Sequence, residues 1–202
     1  MFRRSFVVVV VVAVAALAMA CASQKVPAET AIASAETAFA AIQDDVAKYL
    51  PDQGKEVGDA IAAAKDLVAK GDYKAALASA QAIPEKITAL GTAVAAKKTE
   101  LTTAWNGFSE SLPGMVQAIQ QQVDTLGKAR RLPAGIDKAK LEEAKTGLAN
   151  LTSTWTEATT AFGAGNLTDA LAKAETVKAG ASTVMGLLNM TQTPAAVPAA
   201  IK

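Results

Sequence analysis

The sequence has no histidine and one cysteine, Cys21, among its 202 residues. It therefore lacks the commonest general base, the Ser-His and Cys-His catalytic pairs and every imidazole metal ligand. A single cysteine forms neither an internal disulfide nor a thiolate zinc site. We expect a protein that is not an enzyme and that holds no metal or other cofactor.

An excess of one charge is also missing. The chain has 20 basic and 19 acidic residues, and it contains no run of five like charges. Loss of Arg3 and Arg4 with a leader leaves 18 basic residues against 19 acidic ones. Because binding to nucleic acid depends on a basic excess that displaces counterions, we expect no nucleic-acid partner.

Aromatic residues are scarce, at 4% of the chain, whereas alanine occurs 47 times. Hydrophobic residues make up 51% of the sequence, which excludes a wholly disordered chain. An alanine side chain buries little apolar area, although it lets neighbouring helices approach closely. This composition predicts long helices in a slender bundle instead of a deep globular core.

The N-terminus combines a short basic segment with an apolar one. Arg3 and Arg4 precede an uninterrupted apolar run, Phe6–Ala20, which stops at Cys21. A helix that spans a bilayer needs roughly 20 apolar residues. This run has 15, a length typical of the apolar region of a secretory signal peptide. Residues 1–20 are therefore predicted to be a signal peptide.

The end of this segment is Leu17-Ala18-Met19-Ala20-Cys21. It resembles the lipobox of bacterial lipoproteins, in which Leu, a small residue and Gly or Ala precede the modified cysteine, although Leu17 stands one place early and Met19 replaces a small residue. The resemblance implies cleavage between Ala20 and Cys21, a diacylglyceryl group on the Cys21 sulfur and a further acyl chain, such as palmitate, on its amine. Two or more chains hold a protein stably on a membrane.

The residues around Cys21 also bear on the membrane to which the protein is sent and on the peptidase that cleaves it. Ala22, and not Asp, follows the cysteine, and in bacterial lipoproteins this resembles an outer-membrane address facing the periplasm. Ala18-Met19-Ala20 also fits the site of the ordinary signal peptidase. Secretion without a lipid therefore remains the first alternative, and an uncleaved membrane anchor is the last.

Apolar residues recur at alternating spacings of three and four along the rest of the chain, which places them on one face of a helix. Proline and glycine interrupt the series at Pro51, at Gly71, and within 112–114, 132–135 and 163–165. No alternating strand pattern occurs outside the leader. We predict an all-α fold, an elongated antiparallel bundle with coiled-coil-like packing, whose six helices lie at about 28–50, 52–70, 73–111, 114–129, 136–163 and 167–190.

Two short segments recur in the same order along the chain. Ala41–Val46 matches Ala118–Val123, and Val68–Tyr73 matches Phe162–Leu167. The second match includes a turn that resembles the inter-helix turn of tetratricopeptide repeats, which implies a helical hairpin. The recurrence predicts a duplication, with the six helices forming two three-helix units. The predicted domains after the signal peptide are a lipidated cysteine with a flexible stem at 21–30, the two units at 31–112 and 113–190, and a disordered Pro/Ala-rich tail at 191–202.

Five side chains are candidates for contact with a ligand or partner. Trp105 and Trp155 lie on or beside the helical seams, so we expect them to anchor the core, with a ligand pocket between them as the alternative. Lys128, Arg130 and Arg131 form the densest basic cluster. Complementing the dipole of a helix C-terminus is their expected role, and contact with anionic lipid or cell-wall polymer is the alternative.

Together these features predict a non-enzymatic, membrane-anchored helical lipoprotein that acts as a scaffold or interaction module in the cell envelope. Its partner would be another envelope protein or cell-wall polymer. The alternative function is a helical ligand-binding domain with an apolar cleft near Trp105 and Trp155. The chain also resembles the peptidoglycan-linked lipoproteins of enteric bacteria in three respects: an N-terminal lipidated cysteine, heptad helices and a C-terminal lysine, here Lys202. That resemblance implies covalent attachment to the cell wall as a further alternative.

Overall fold

The computed structural model describes residues 24–190. Six helices and no strand make up the regular structure of this part of the chain, which confirms the predicted all-α bundle. The signal peptide, Cys21, the 191–202 tail and Lys202 lie outside the described residues. The helices are α1 Lys25–Ala40, α2 Gln43–Tyr49, α3 Pro51–Ala69, α4 Tyr73–Lys128, α5 Lys138–Gly163 and α6 Leu167–Leu187.

The described residues form two compact units, one up to Ala96 and the other from Lys97. The first unit contains α1, α2, α3 and the beginning of α4, and the second contains the rest of α4 with α5 and α6. The division therefore falls inside α4. The limits of 31–112 and 113–190 depend on the sequence repeat and stay a prediction.

The apolar residues spaced by three and four form the core of each unit. No polar or charged residue is buried in residues 24–190, so the interior of this part of the chain is held by apolar packing. On α6 and at its C-cap, every predicted seam residue is at most 9% exposed. These residues are Leu167, Ala170, Ala174, Val177, Ala181, Val184 and Leu188.

The predicted helix break at 112–114 is wrong, because α4 continues through Pro113 and Gly114. Leu112 and Ile119 are fully buried, so the apolar seam extends on both sides of the proline. Pro113 is exposed, and the carbonyl that loses its helical partner one turn earlier can be hydrated. A proline inside a helix costs about 3 kcal/mol. Burial of each large apolar side chain contributes about 1.5–3 kcal/mol, which is enough to offset it.

The first predicted helix, 28–50, is two helices, α1 and α2, separated at Ala41 and Ile42. The break lets α2 pack across the beginning of α3, where Gly54 has no side chain. A β-carbon on Gly54 would overlap Cγ1 of Val46, which is 2% exposed. The close contact with α3 therefore accounts for the break between α1 and α2 better than any helix-breaking residue.

The predicted flexible stem at 21–30 is also wrong for its second half, because α1 begins at Lys25. Pro27 is the third residue of the helix. The first four backbone N–H groups of a helix have no partner within it, so a proline there removes no hydrogen bond. The amide of Ala28 donates to the carbonyl oxygen of Gln24 at 3.0 Å, which closes the first turn.

The connections from α3 to α4 and from α5 to α6 have the same geometry. Gly71 and Gly165 follow their helices with φ values of +79° and +74°. The next amides, those of Asp72 and Asn166, donate to carbonyl oxygens five residues earlier, at 3.0 and 2.9 Å. This is the Schellman ending, in which glycine adopts a left-handed conformation that other residues reach at a cost. Both predicted tight turns are confirmed.

Candidate functional site

Three aromatic rings from α4 and α5 stack in the second unit. The ring centroids of Trp105 and Trp155 are 5.3 Å apart, with their planes at 7°. The centroids of Trp105 and Phe162 are 4.6 Å apart, with their planes at 9°. Trp155 and Phe162 are seven residues apart on α5, a rise of about 10.5 Å. The Trp105 ring therefore lies between the other two, and we call these three residues the aromatic stack.

The aromatic stack occupies the interface between α4 and α5. Trp105 is 5% exposed, whereas Trp155 and Phe162 are half-buried. Because the two tryptophan rings are in contact, a ligand would have to displace one ring or bind at the exposed edges. Phe162 was not singled out from the sequence as a partner of the tryptophans. Its spacing of seven from Trp155 is the signal that identifies it.

The predicted basic cluster lies at the C-terminal end of α4. Lys128 is the last residue of that helix, and Arg130 and Arg131 are in the segment that leads to α5. All three side chains are exposed. Their charges complement the partial negative charge of the α4 C-terminus. From the first turn of α5, Lys140 Nζ donates to the carbonyl oxygen of Gly135 in this segment, at 2.7 Å.

The aromatic stack and the basic cluster are separate surfaces of the second unit. Trp105 and Lys128 are 23 residues apart on the continuous helix α4, a distance of about 35 Å at 1.5 Å per residue. No small ligand could contact both. The structure thus brings the two tryptophans together and keeps the basic residues away from them.

Two open grooves lie beside α5 within the second unit. The groove between α4 and α5 has a volume of about 640 Å³ and includes Asp124, Lys145 and the hydroxyl residues Thr152 and Thr156. The groove between α5 and α6 has a volume of about 260 Å³. Both grooves offer hydroxyl groups beside shallow apolar surface.

Lys55, which is exposed, and Lys173, which is half-buried, have a raised pKa. The hydrogen bond that Lys173 donates to Glu157 at 2.9 Å is the main cause of its raised pKa, and the negative charge of Asp169 adds to it. A hydrogen bond from Lys55 to Asp59 at 2.6 Å raises the pKa of Lys55 in the same way. Both lysines therefore stay charged at neutral pH and act as surface ion-pair partners.

The predicted lipidation and cleavage residues, Ala20 and Cys21, lie outside the described part of the chain. Between residues 24 and 190, none of the helices is both long and apolar enough to cross a bilayer. In the same residues, no three acidic side chains are grouped closely enough to hold a metal ion. Comparison with family models, curated proteins and solved structures gave no match to this chain.

Proposed function

We propose that the protein is a bacterial lipoprotein, anchored to a membrane through Cys21, that acts as a non-enzymatic interaction module in the cell envelope. The observation that carries this proposal is the leader: two arginines, 15 apolar residues and then the sole cysteine of the chain. The modified residue of a lipoprotein stands at this place, directly after the apolar segment.

The lipid chains account for attachment without a spanning helix. A diacylglyceryl group and an amine-linked acyl chain give more than one apolar chain, and this is the condition for stable anchoring. The mature chain then extends from the membrane surface as helices. If the envelope is that of an enteric-type bacterium, Ala22 favours the outer membrane and a periplasmic orientation.

The role as an interaction module is supported by how the chain distributes its side chains. Seam positions are apolar and buried, whereas the outer faces carry charged and hydroxyl groups. The exposed basic cluster of Lys128, Arg130 and Arg131 suits an anionic partner. An anionic cell-wall polymer, or an acidic face of an envelope protein, has the required charge.

The test is the fate of Cys21 in cells. Cys21→Ser is expected to abolish lipidation and to move the protein from the membrane fraction to the soluble envelope fraction. Globomycin, which blocks the lipoprotein signal peptidase, is expected to accumulate the precursor. Ser23→Ala is the matched control and should process and partition as the natural chain does. Unchanged partition of Cys21→Ser together with resistance to globomycin would contradict the proposal.

A ligand-binding domain near Trp105 and Trp155 is the second candidate function, and the incomplete burial of the Trp155 ring favours it. An apolar ligand at the edge of this ring would shift the tryptophan emission, and Trp155→Phe would weaken both the shift and the binding. Constant emission across a broad panel of apolar ligands would argue against this function.

A further inference from the structure

The first unit carries an unusual surface close to the proposed anchor. Val26, at the second position of α1, is 68% exposed, and it is the one large hydrophobic side chain that is exposed among residues 24–190. Pro27 beside it is also exposed. These two apolar residues lie five and six positions after Cys21. We call Val26, Pro27 and their neighbours Lys25 and Thr30 the Val26 surface.

The short connection to Cys21 limits how far this surface can lie from a membrane. Four residue steps separate Cys21 from Lys25, the first residue of α1. Fully extended, they span at most about 14 Å. The headgroup layer of one leaflet is about 5–8 Å thick, which is half the difference between the whole bilayer and its hydrocarbon core. At most about 9 Å then remains, less than the 10–12 Å diameter of a single helix.

We infer that the Val26 surface rests on the lipid headgroups, so that the first unit docks directly on the membrane instead of standing off on a stem. This inference rests on the proposed lipidation of Cys21. No folded partner fits between the surface and the membrane, because the available gap is narrower than one helix. An exposed valine and proline suit the apolar boundary beneath the headgroups, where they lose contact with water.

The charges around the Val26 surface nearly cancel, so its contact with lipid does not require anionic headgroups. Lys25 lies 3.8 Å from Glu29, and Lys70 pairs with Asp66. The end of α3 lies beside the start of α1, because Val68 and Glu29 line the same groove. Each lysine thus has an acidic neighbour, and the surface is close to neutral.

A fluorescent label at position 26 tests the inference on the full lipidated protein. In that protein the Cys21 sulfur is a thioether, so the thiol of Val26→Cys is the one that reacts. The control is Asp44→Cys, an exposed position at the start of α2 in the same unit, beyond the 16 residues of α1. The labelled proteins are placed in phosphatidylethanolamine and phosphatidylglycerol vesicles that contain a lipid with a nitroxide quencher on its headgroup.

The expected result is that the label at position 26 loses most of its emission and the label at position 44 keeps it. Inserting about 16 Gly and Ser residues between Ser23 and Gln24 adds a root-mean-square reach of about 22 Å. This insertion should abolish the quenching while the protein still floats with the vesicles. Thr30→Cys, labelled one turn along the same face with Val26 intact, should be quenched. Adding Val26→Glu should weaken that quenching without abolishing it, because the short connection to Cys21 remains.

Three outcomes overturn the inference, and they are distinguishable. If the protein floats with vesicles but neither label is quenched, anchoring stands and docking fails. Quenching that persists unchanged after the insertion shows that the short connection is not responsible. If the natural protein does not float and its Cys21 reacts with a maleimide, the proposed function fails and the docking inference falls with it.

Discussion

The helices α5 and α6 pack so closely that one added methyl group, the side chain of Gly147→Ala, should disturb their contact. Gly147 on α5 faces Val184 on α6, and a β-carbon built on Gly147 would lie 2.6 Å from Val184 Cγ2. Carbon atoms prefer 3.5–4.0 Å, so the helices would have to separate by about 1 Å. Val184 is 4% exposed, and its branched side chain has few rotamers to escape into.

The expected cost of Gly147→Ala follows from two opposing effects. Adding a methyl group to a packed interface costs about 1–3 kcal/mol. Replacing glycine by alanine inside a helix contributes about 1 kcal/mol in the other direction. We expect a net loss of about 1 kcal/mol in the free energy of unfolding, measured by urea unfolding of the mature, non-lipidated Cys21→Ser protein with circular dichroism.

The matched control is Gly114→Ala, inside α4, where a β-carbon meets no atom within 4 Å. This change should stabilise the protein by up to about 1 kcal/mol, because it keeps the helix propensity gain without the clash. Val184→Ala should remove most of the cost of Gly147→Ala in the double variant. If Gly147→Ala is as stable as Gly114→Ala, the close packing of α5 and α6 is refuted.

Further predictions concern α4, a turn, the aromatic stack and an ion pair. Pro113→Ala should raise the free energy of unfolding by about 3 kcal/mol, because it restores a hydrogen bond inside a continuous helix; an unchanged urea midpoint would contradict the observed continuity. Gly71→Ala should lower stability by about 1–2 kcal/mol, because φ there is +79°, and Gly71→Asn should lower it less; equal losses for both would argue against the left-handed turn. Trp105→Ala should cost about 3–5 kcal/mol and alter the near-ultraviolet circular dichroism of the remaining tryptophan. Because the pKa of Lys173 is raised, its pairing with Glu157 stabilises the fold fully below the ordinary lysine pKa of 10.5, and this stabilisation is lost as the pH rises through the raised pKa. Glu157→Gln should therefore flatten the alkaline end of a plot of unfolding free energy against pH. A plot identical to that of the natural protein would contradict the pairing.

The alternating apolar spacing was sufficient to predict the second unit closely. The helix predicted at 136–163 is observed at Lys138–Gly163, and that at 167–190 is observed at Leu167–Leu187. Large residues such as Leu148 and Leu151 fix the buried face, and Gly165 fixes the turn. Local chemistry and packing favour the same helix bounds here, so the apolar spacing predicts them.

The errors arose where packing overrode a local signal. Pro113 and Gly114 suggested a break, but buried Leu112 and Ile119 keep one seam through them. The break at Ala41 carries no proline or glycine, because its cause is the contact of a distant glycine with α2. Neither the continuity at Pro113 nor the break at Ala41 can be predicted without knowing which helix faces are in contact.

The repeat illustrates the same limit. The turns at Gly71 and Gly165 share their hydrogen bonds, as the second matched pair of segments predicts. The first matched pair differs, since Ala41–Val46 crosses the break between α1 and α2 whereas Ala118–Val123 lies inside α4. Sequence similarity over six residues does not determine helix continuity.

For the candidate sites too, some features were predictable from the sequence and others depended on packing. The sequence placed Trp105 and Trp155 on seams, and the spacing of the helices then brought their rings into contact. It could not predict that the basic residues around Lys128 lie about 35 Å from them, because that distance depends on α4 being unbroken.

The measurement that tests the central claim most directly is mass spectrometry of the protein recovered from the membrane fraction. The account predicts a mature chain that begins at Cys21 and whose first peptide carries the added mass of a diacylglyceryl thioether and an acyl amide. Alkaline hydrolysis should release only the two ester-linked fatty acids, leaving the glyceryl thioether and the acyl amide on Cys21 and the sequence from Ala22 unchanged. A mature chain with an unmodified Cys21 thiol, or one that retains Met1, would contradict it.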